Sequence, residues 1–346
     1  MNKRSLIIFG LLSAVLVSLP ISIGLGAFEL SFYDSLQIIW TKLTGLGSLN
    51  DQRIAAVVWQ IRLPRVLLSL MVGASLAISG ASLQGLFRNP LADPSIIGIS
   101  MGAALAAAIV IVLADGVLSA SYSLGGVSLL AIATFLGALV TTFIIFKIAK
   151  EGKQVNVMSM LLAGIAINAI AAAGVGLLTF LADNEQLRTL TFWTLGSLGG
   201  ATWLSVGVLA IATTISLAFL LPLFKSFNAL SLGEQEAMYM GVNTEKLKLK
   251  VIIFSALSIG AGVAFCGMIS FIGLVVPHII RLLFGGDYRT LLPASALGGG
   301  LLLCWADNIA RIVVIPAELP IGILTALFGA PVFLYLILNR KKVKIS

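Results

Sequence analysis

The sequence predicts an all-α integral membrane protein with about ten transmembrane helices. Of its 346 residues 59% are hydrophobic and only 10% are charged. The mean hydropathy is +1.09, more apolar than a water-soluble core requires. Apolar runs of about 20 residues, each long enough to cross a bilayer as a helix, recur along the whole length. No interruption between them is large enough for a soluble domain, so residues 1–346 read as one transmembrane domain.

Taken in order, the spans are expected at 5–28, 63–86, 94–114, 126–148, 157–182, 202–223, 250–271, 272–285, 290–306 and 320–338. The first follows Lys3 and Arg4. Its apolar part exceeds the roughly 7–15 residues of a signal peptide, so it reads as a membrane helix. The runs "GASLAISGASLQG" (73–85), "LLAGIAINAIAAAGVG" (161–176) and "GGG" (298–300) are rich in small residues, which let membrane helices approach closely. The stretch "GMISFIGLVVPHIIRLLFGG" is hard to divide, because Pro277 lacks an N–H and His278 and Arg281 are polar. It reads as a broken or re-entrant helix.

Charge orients this layout. With the N-terminus inside, the inner segments hold 16 of the 22 basic residues, and the outer ones hold Lys42, Arg53, Arg62, Arg65, Arg188 and Arg311. Both termini are therefore predicted to be cytoplasmic. Lys150, Lys153, Lys248 and Lys344 fall inside and Asp183 outside. The net charge of +8 then reflects membrane orientation, and no nucleic-acid partner is expected.

One polar stretch stands out between the sixth and seventh spans: "SLGEQEAMYMGVNTEKLKLK", Ser231–Lys250, within a cytoplasmic segment of about 226–249. Ser231 and Glu234 form S-x-x-E, the pattern of a capping box. Gly241 suits a left-handed helix end and Asn243 a cap for the next helix. A short ordered helix results, either a plain connector or a docking element.

Catalytic chemistry is not legible. There is no H-E-x-x-H, "FGGD" (284–287) lacks a partner aspartate in another span, and "GKQ" (152–154) lacks the rest of a phosphate-binding loop. His278 is the sole histidine, and Cys266 and Cys304 read as small buried hydrophobes, so neither catalytic nor metal-ligating residues are expected. A stand-alone secondary carrier for a small organic solute would keep a buried carboxylate or a broken-helix ion site. Asp93 lies in a loop and Asp307 and Glu318 near a membrane face, which weakens that alternative.

Several segments together resemble one family. They are "RLPR" (62–65), "GASLQGLFRNPLADPSIIGISMGA" (80–103), "LLAG" (161–164), "SLGEQEAMYMGV" (231–242), "GMISFIGLVVPHIIR" (267–281), "DYRTLLPASAL" (287–297), "ADNIAR" (306–311) and "ELPIGILTALFGAPVFLYLI" (318–337). The chain resembles the membrane permeases of type II ABC importers for iron-siderophores, haem and vitamin B12. The resemblance implies a permease that works as a dimer of identical or related chains. It also implies two cytoplasmic ATPase subunits, through which ATP acts with no cofactor on the permease itself, and an extracytoplasmic substrate-binding protein. An iron-siderophore is the expected cargo, with haem and vitamin B12 as alternatives, in the bacterial cytoplasmic membrane.

The resemblance also assigns residues. Leu232, Gly233, Glu234, Ala237, Met238, Met240 and Gly241 would form the coupling element that enters a groove on the ATPase. Arg62, Arg65 and Arg311 would pair with glutamates of the binding protein on the outer face. Asn89, Leu91, Val157 and Met158 would form the cytoplasmic gate, with the apolar pair Val157–Met158 sealing by excluding water. Arg311 can also pair with Asp307 four residues earlier on the same helical face.

Overall fold

A computed structural model describes residues 3–26, 31–45, 51–113, 123–124, 127–152, 154–315 and 317–343. The expected inner positions of Lys153 and Lys344, and the expected end of the first span at Phe28, lie outside them. The chain is nearly all helix. In order run α1 (Lys3–Gly24), α2 (Phe32–Thr44), α3 (Gln52–Val57), a π-turn (Val58–Arg62), α4 (Leu63–Leu86), a 3₁₀ turn (Pro94–Ile97) and α5 (Ile99–Leu113). A two-residue pairing of β1 (Ser123–Leu124) with β2 (Val127–Ser128) precedes α6 (Leu129–Ile148). A second small hairpin, β3 (Lys150–Glu151) with β4 (Gln154–Val155), leads into α7 (Val157–Leu181). Then come α8 (Asn184–Leu195), α9 (Trp203–Leu220), a 3₁₀ turn (Leu221–Leu223), α10 (Phe224–Leu230), α11 (Glu234–Tyr239), α12 (Thr244–Cys266), α13 (Ile272–Phe284), α14 (Tyr288–Ile312) and α15 (Ile321–Val343).

Helices lie at all ten expected span positions among the described residues. Seven helices are long and apolar enough to cross a membrane. Three shorter apolar helices, α5, α13 and Ile321–Tyr335 of α15, complete the set. Boundaries moved where polar residues extend a helix beyond its apolar part. The second span does not start at 63, because Asp51 caps α3 by accepting from Arg53 N–H at 2.7 Å and the helix continues through the π-turn into α4. The seventh begins at Thr244, earlier than 250, under the Asn243 cap.

Two helices were not legible as spans. α2 is amphipathic: Tyr33, Leu36, Trp40 and Leu43 are exposed along one stripe while Ser35, Ile38 and Thr41 are buried. Such a helix suits the membrane interface, and a long apolar window does not detect it. α8 is a polar-capped helix, with Asp183 and Gln186 forming a reciprocal capping box.

α4 is the hub. Nearly all of it is buried, and it packs on α9, α12, α13 and α14. Small residues permit this. A methyl group on Gly80 would sit 1.8 Å from Gly273 O, and one on Gly73 would sit 2.2 Å from Gly299 O. Backbone thus lies against backbone where the sequence showed glycine-rich runs. Hydroxyl and amide groups add interhelical bonds: Ser75 to Thr213 at 2.8 Å, Ser79 to Ser258 at 3.2 Å, and Gln84 Nε2 donating to Leu274 O at 3.1 Å. Gly80→Val is therefore expected to abolish the monodisperse detergent-solubilised protein on size exclusion, because rigid backbone must shift. Gly207→Val, with nothing within 4 Å of the added carbon, is the control and stays monodisperse.

The stretch that was hard to divide is broken ahead of Pro277. α12 ends at Cys266, Gly267 (φ +68°) and Phe271 (φ +69°) are both left-handed, and Pro277 lies inside α13. The break is covered from the side. Ser197 N–H donates to Cys266 O at 2.8 Å, and Ile321 N–H donates to Gly196 O at 3.1 Å. The freed carbonyl of Cys266 is thus satisfied by protein, as non-helical chain at membrane depth requires. Cys266 and Cys304 are buried, as the sequence indicated.

Candidate functional site

Three of the sequence-expected groups lie in the loop-proximal ends of this bundle. The first is the turn and helix Ser231–Tyr239. The expected capping box is absent. Ser231 Oγ donates instead to Asn228 O at 2.6 Å, and the N-cap is Gly233, which has no side chain to cap with. The Glu236 carboxylate folds back over Gly233 and occupies the space a Cβ would need. With φ at +151°, this position favours glycine. The other end forms as expected. Gly241 (φ +82°) is left-handed, its N–H reaches Met238 O at 2.9 Å, and Val242 N–H reaches Ala237 O at 2.9 Å, a Schellman motif. Asn243 Oδ1 accepts from Lys246 N–H at 2.9 Å and caps α12.

The result is a short rigid helix with one anchored side chain, Ala237, and an apolar outer surface. Leu232 is 65% exposed, Met238 48%, Tyr239 89% and Met240 63%. Four large apolar side chains beside a capped turn form a patch, and such patches mark interaction sites. Tyr239 was not among the residues assigned to the coupling element, although an exposed tyrosine amid two methionines is the kind of anchor interfaces use. The base is fixed to α14. Asn228 donates to Asp287 Oδ1 at 2.7 Å and accepts from Tyr288 N–H at 3.0 Å. The Asn228 amide holds Asp287 below the usual carboxylate range.

Lys248 was expected on the wet cytoplasmic face. It is 5% exposed, with Nζ 2.6 Å from Glu234 and 2.8 Å from Glu245. Its position on α12 is one turn beyond the Asn243 cap, where the helix already packs inward.

The second group is Arg62, Arg65 and Arg311. All three are buried, at 6–7% exposure, whereas pairing with a partner's glutamates implied open side chains. Each has a task within the chain. Arg62 donates to Ile23 O at 2.7 Å and Gly24 O at 3.0 Å, and Arg311 donates to Ser22 O and Leu25 O at 3.1 Å. Together they satisfy the last carbonyls of α1, the negative end of that helix. Arg311 also donates to Asn308 Oδ1 and lies 3.2 Å from Asp307, the pairing its spacing suggested. Arg65 forks between two carboxylates, Asp307 at 2.8 Å and Glu318 at 2.8 Å. Asn308 donates to Ser22 Oγ at 2.7 Å. Glu318 and Asn308 were not assigned to this cluster from sequence, since both acquire their partners only through folding. Three guanidinium groups against two carboxylates leave the cluster one positive charge. Glu318, with 48% of its side chain exposed, is its most open member.

The third group is two short turns. Asn89 Oδ1 accepts from Leu91 N–H at 3.0 Å, next to Arg88 in a left-handed conformation (φ +48°). Asn156 caps α7 by accepting from Met158 N–H at 2.9 Å and Ser159 N–H at 3.2 Å. Val157 is half-buried against the core and Met158 is 63% exposed. Asn156, not assigned from sequence, is what positions that pair.

The chain as a whole is similar to known transport proteins. The FecCD transport family matches residues 14–339. The hemin transport system permease HmuU of Yersinia pestis is 46% identical over 342 residues, 97% of this chain and 96% of that protein. The cobalamin import permease BtuC of Halobacterium salinarum is 40% identical over 82% of this chain and 74% of its own length. Among solved structures, a metal-chelate type ABC transporter in an inward-facing conformation superposes with a TM-score of 0.82 at 34% identity, covering 96% of this chain and 99% of that one.

Proposed function

The chain belongs to the FecCD transport family, and from that premise we propose that it imports an iron chelate across the bacterial cytoplasmic membrane. It is the multi-pass permease subunit of an ABC importer and not an enzyme; ATP hydrolysis belongs to separate subunits. The likeness over nearly its whole length to a permease named for hemin transport carries the iron-chelate reading. A ferric siderophore is the proposed cargo, with haem, which the hemin relative favours, and vitamin B12 as alternatives.

The assembly follows. A second permease chain, identical or related, completes the path. Two ATPase subunits sit one on each permease chain, here on the patch of Leu232, Met238, Tyr239 and Met240, whose exposure is costly without a partner. A binding protein delivers cargo to the outer face at the net-positive cluster of Arg62, Arg65 and Arg311, where complementary charge would steer encounter. Val157 and Met158 close the cytoplasmic end, held by the Asn156 cap.

Two measurements test this. Complexes co-purified from membranes and placed in liposomes are expected to accumulate radio-iron ferrichrome, radio-iron enterobactin or haem only with ATP. Uptake by the permease alone would make it a secondary carrier, and uptake of cyanocobalamin alone would end the iron reading. For topology, Lys150→Cys is expected to react with an impermeant thiol reagent only in inverted vesicles and Asp183→Cys only in intact cells. Both positions are exposed. The opposite pattern reverses the orientation.

A further inference from the structure

We infer that Lys248 is the tie that carries movement of α11 to the start of α7. The inference rests on α11 being the ATPase coupling helix, and on a set of contacts that no sequence motif announces. Lys248 is buried, yet both carboxylates beside it reach water: the Glu234 side chain is 40% exposed and that of Glu245 30%. A lysine loses rotamer freedom and hydration when it is placed so, which surrounding structure must repay. Here three elements do. Glu234 is the first residue of α11 and lies 2.6 Å from Nζ. Glu245 is on α12, one turn before Lys248, at 2.8 Å. The third ligand is the Val155 carbonyl, the end of β4, which accepts from Nζ at 2.9 Å.

The grip on Val155 is double. Its N–H donates to Glu245 Oε2 at 2.8 Å while its carbonyl is held by Lys248, so one residue of the hairpin is clamped by two side chains of α12. From Val155 the chain passes without slack into α7. Asn156 N–H donates to Ala149 O at 3.0 Å, its side chain caps α7, and Ser159 Oγ donates to Glu151 Oε1 at 2.8 Å. The hairpin, the cap and the first turn of α7 therefore form one piece. That piece is joined to α11 through the buried ammonium group of Lys248. A displacement of α11 pulls on Glu234, and the short charge pair, anchored by the buried Lys248, transmits it. Lys248 is in this sense a positioning residue for Val157 and Met158.

The assembled transporter in liposomes provides the test. Gln235→Cys on α11 and Gln154→Cys beside Val155 are exposed sites for spin labels. The native Cys266 and Cys304 are buried. With Lys248 present, the distance distribution between the labels is expected to stay single and narrow when ATP binds. In Lys248→Met it broadens or shifts with nucleotide. The ratio of hydrolysis stimulated by the binding protein to basal hydrolysis falls about 2- to 30-fold, the range for mutations along a coupling route. The ATPase still co-purifies. Glu234→Gln, at a half-exposed carboxylate that folding can spare, shifts both readouts in the same direction and covers the case in which Lys248→Met does not fold. An unchanged ratio together with an unchanged distance distribution in Glu234→Gln and Lys248→Met overturns the tie. That outcome leaves the docking role of α11 standing, which is measured separately by retention of the ATPase.

Discussion

Replacing Met238 and Met240 together by aspartate is expected to strip the ATPase subunits from the complex while the permease remains folded in the membrane. Both side chains are exposed, at 48% and 63%, so neither supports the permease's own core. The helix that presents them is closed by Gly241 and held below by Ala237, and neither feature depends on methionine. Methionine fits a surface that must re-pack as its partner moves, because it is unbranched and polarisable. Burying each at an interface contributes about 1.5–3 kcal/mol. Losing both weakens association by at least about a hundredfold, since each 1.4 kcal/mol is about tenfold. Aspartate adds the cost of desolvating two charges. The measurement is co-purification of the ATPase with tagged permease, beside membrane abundance of the permease itself. A double variant that keeps its ATPase and transports normally makes α11 a plain connector. Tyr239→Ala is expected to act in the same direction through one aromatic anchor.

What the sequence made legible, and what it did not, divides along physical lines. Ten apolar spans could be read because each must satisfy a bilayer by itself, whatever its neighbours do. The αL glycine at 241 and the Asn243 cap could be read because they are local. Ser231 misled because its pattern is local too, but the chain gave it Asn228 O instead and placed the cap at Gly233. α2 and α8 were passed over because their signals are amphipathic or polar, not apolar. Both carboxylate partners of Arg65 and one partner of Lys248 lie far along the chain, Val155 being 93 positions from Lys248 and Glu318 253 positions from Arg65. Nothing in one sequence brings such groups together. Exposure was the weakest inference of all. The docking reading of Arg62, Arg65 and Arg311 and the cytoplasmic reading of Lys248 implied open side chains for four residues that the fold buries.

That burial changes what Arg311 should do when altered. Were it a surface docking charge, Arg311→Glu with Arg62→Glu would leave an inserted, stable permease that binds its partner poorly. The structure leads to a different expectation: the double variant loses the α1–α14 junction and with it the folded protein. Arg62 and Arg311 satisfy four consecutive carbonyls at the C-terminal end of α1, from Ser22 to Leu25. A glutamate there sets negative charge against those carbonyls and, at 311, against Asp307. Removing one partner from a buried charged pair costs about 3–5 kcal/mol, a large share of the roughly 5–15 kcal/mol that holds a typical domain together. The readout is thermal stability in detergent, with membrane abundance alongside. A docking role is separable from this at Glu318, whose half-exposed carboxylate neutralises Arg65 at the rim. Glu318→Gln raises the net charge of the cluster by one without touching α1, so it should leave stability nearly unchanged and speed association of an acidic binding protein at low salt. The gain fades as ionic strength rises, because exposed charges are screened beyond about 10 Å at 0.1 M. If Arg62→Glu with Arg311→Glu melts like the wild type, the two arginines are dispensable to the fold and their burial is no guide to their role. If Glu318→Gln leaves the association rate unchanged at low salt, the cluster is structural and the binding protein docks elsewhere.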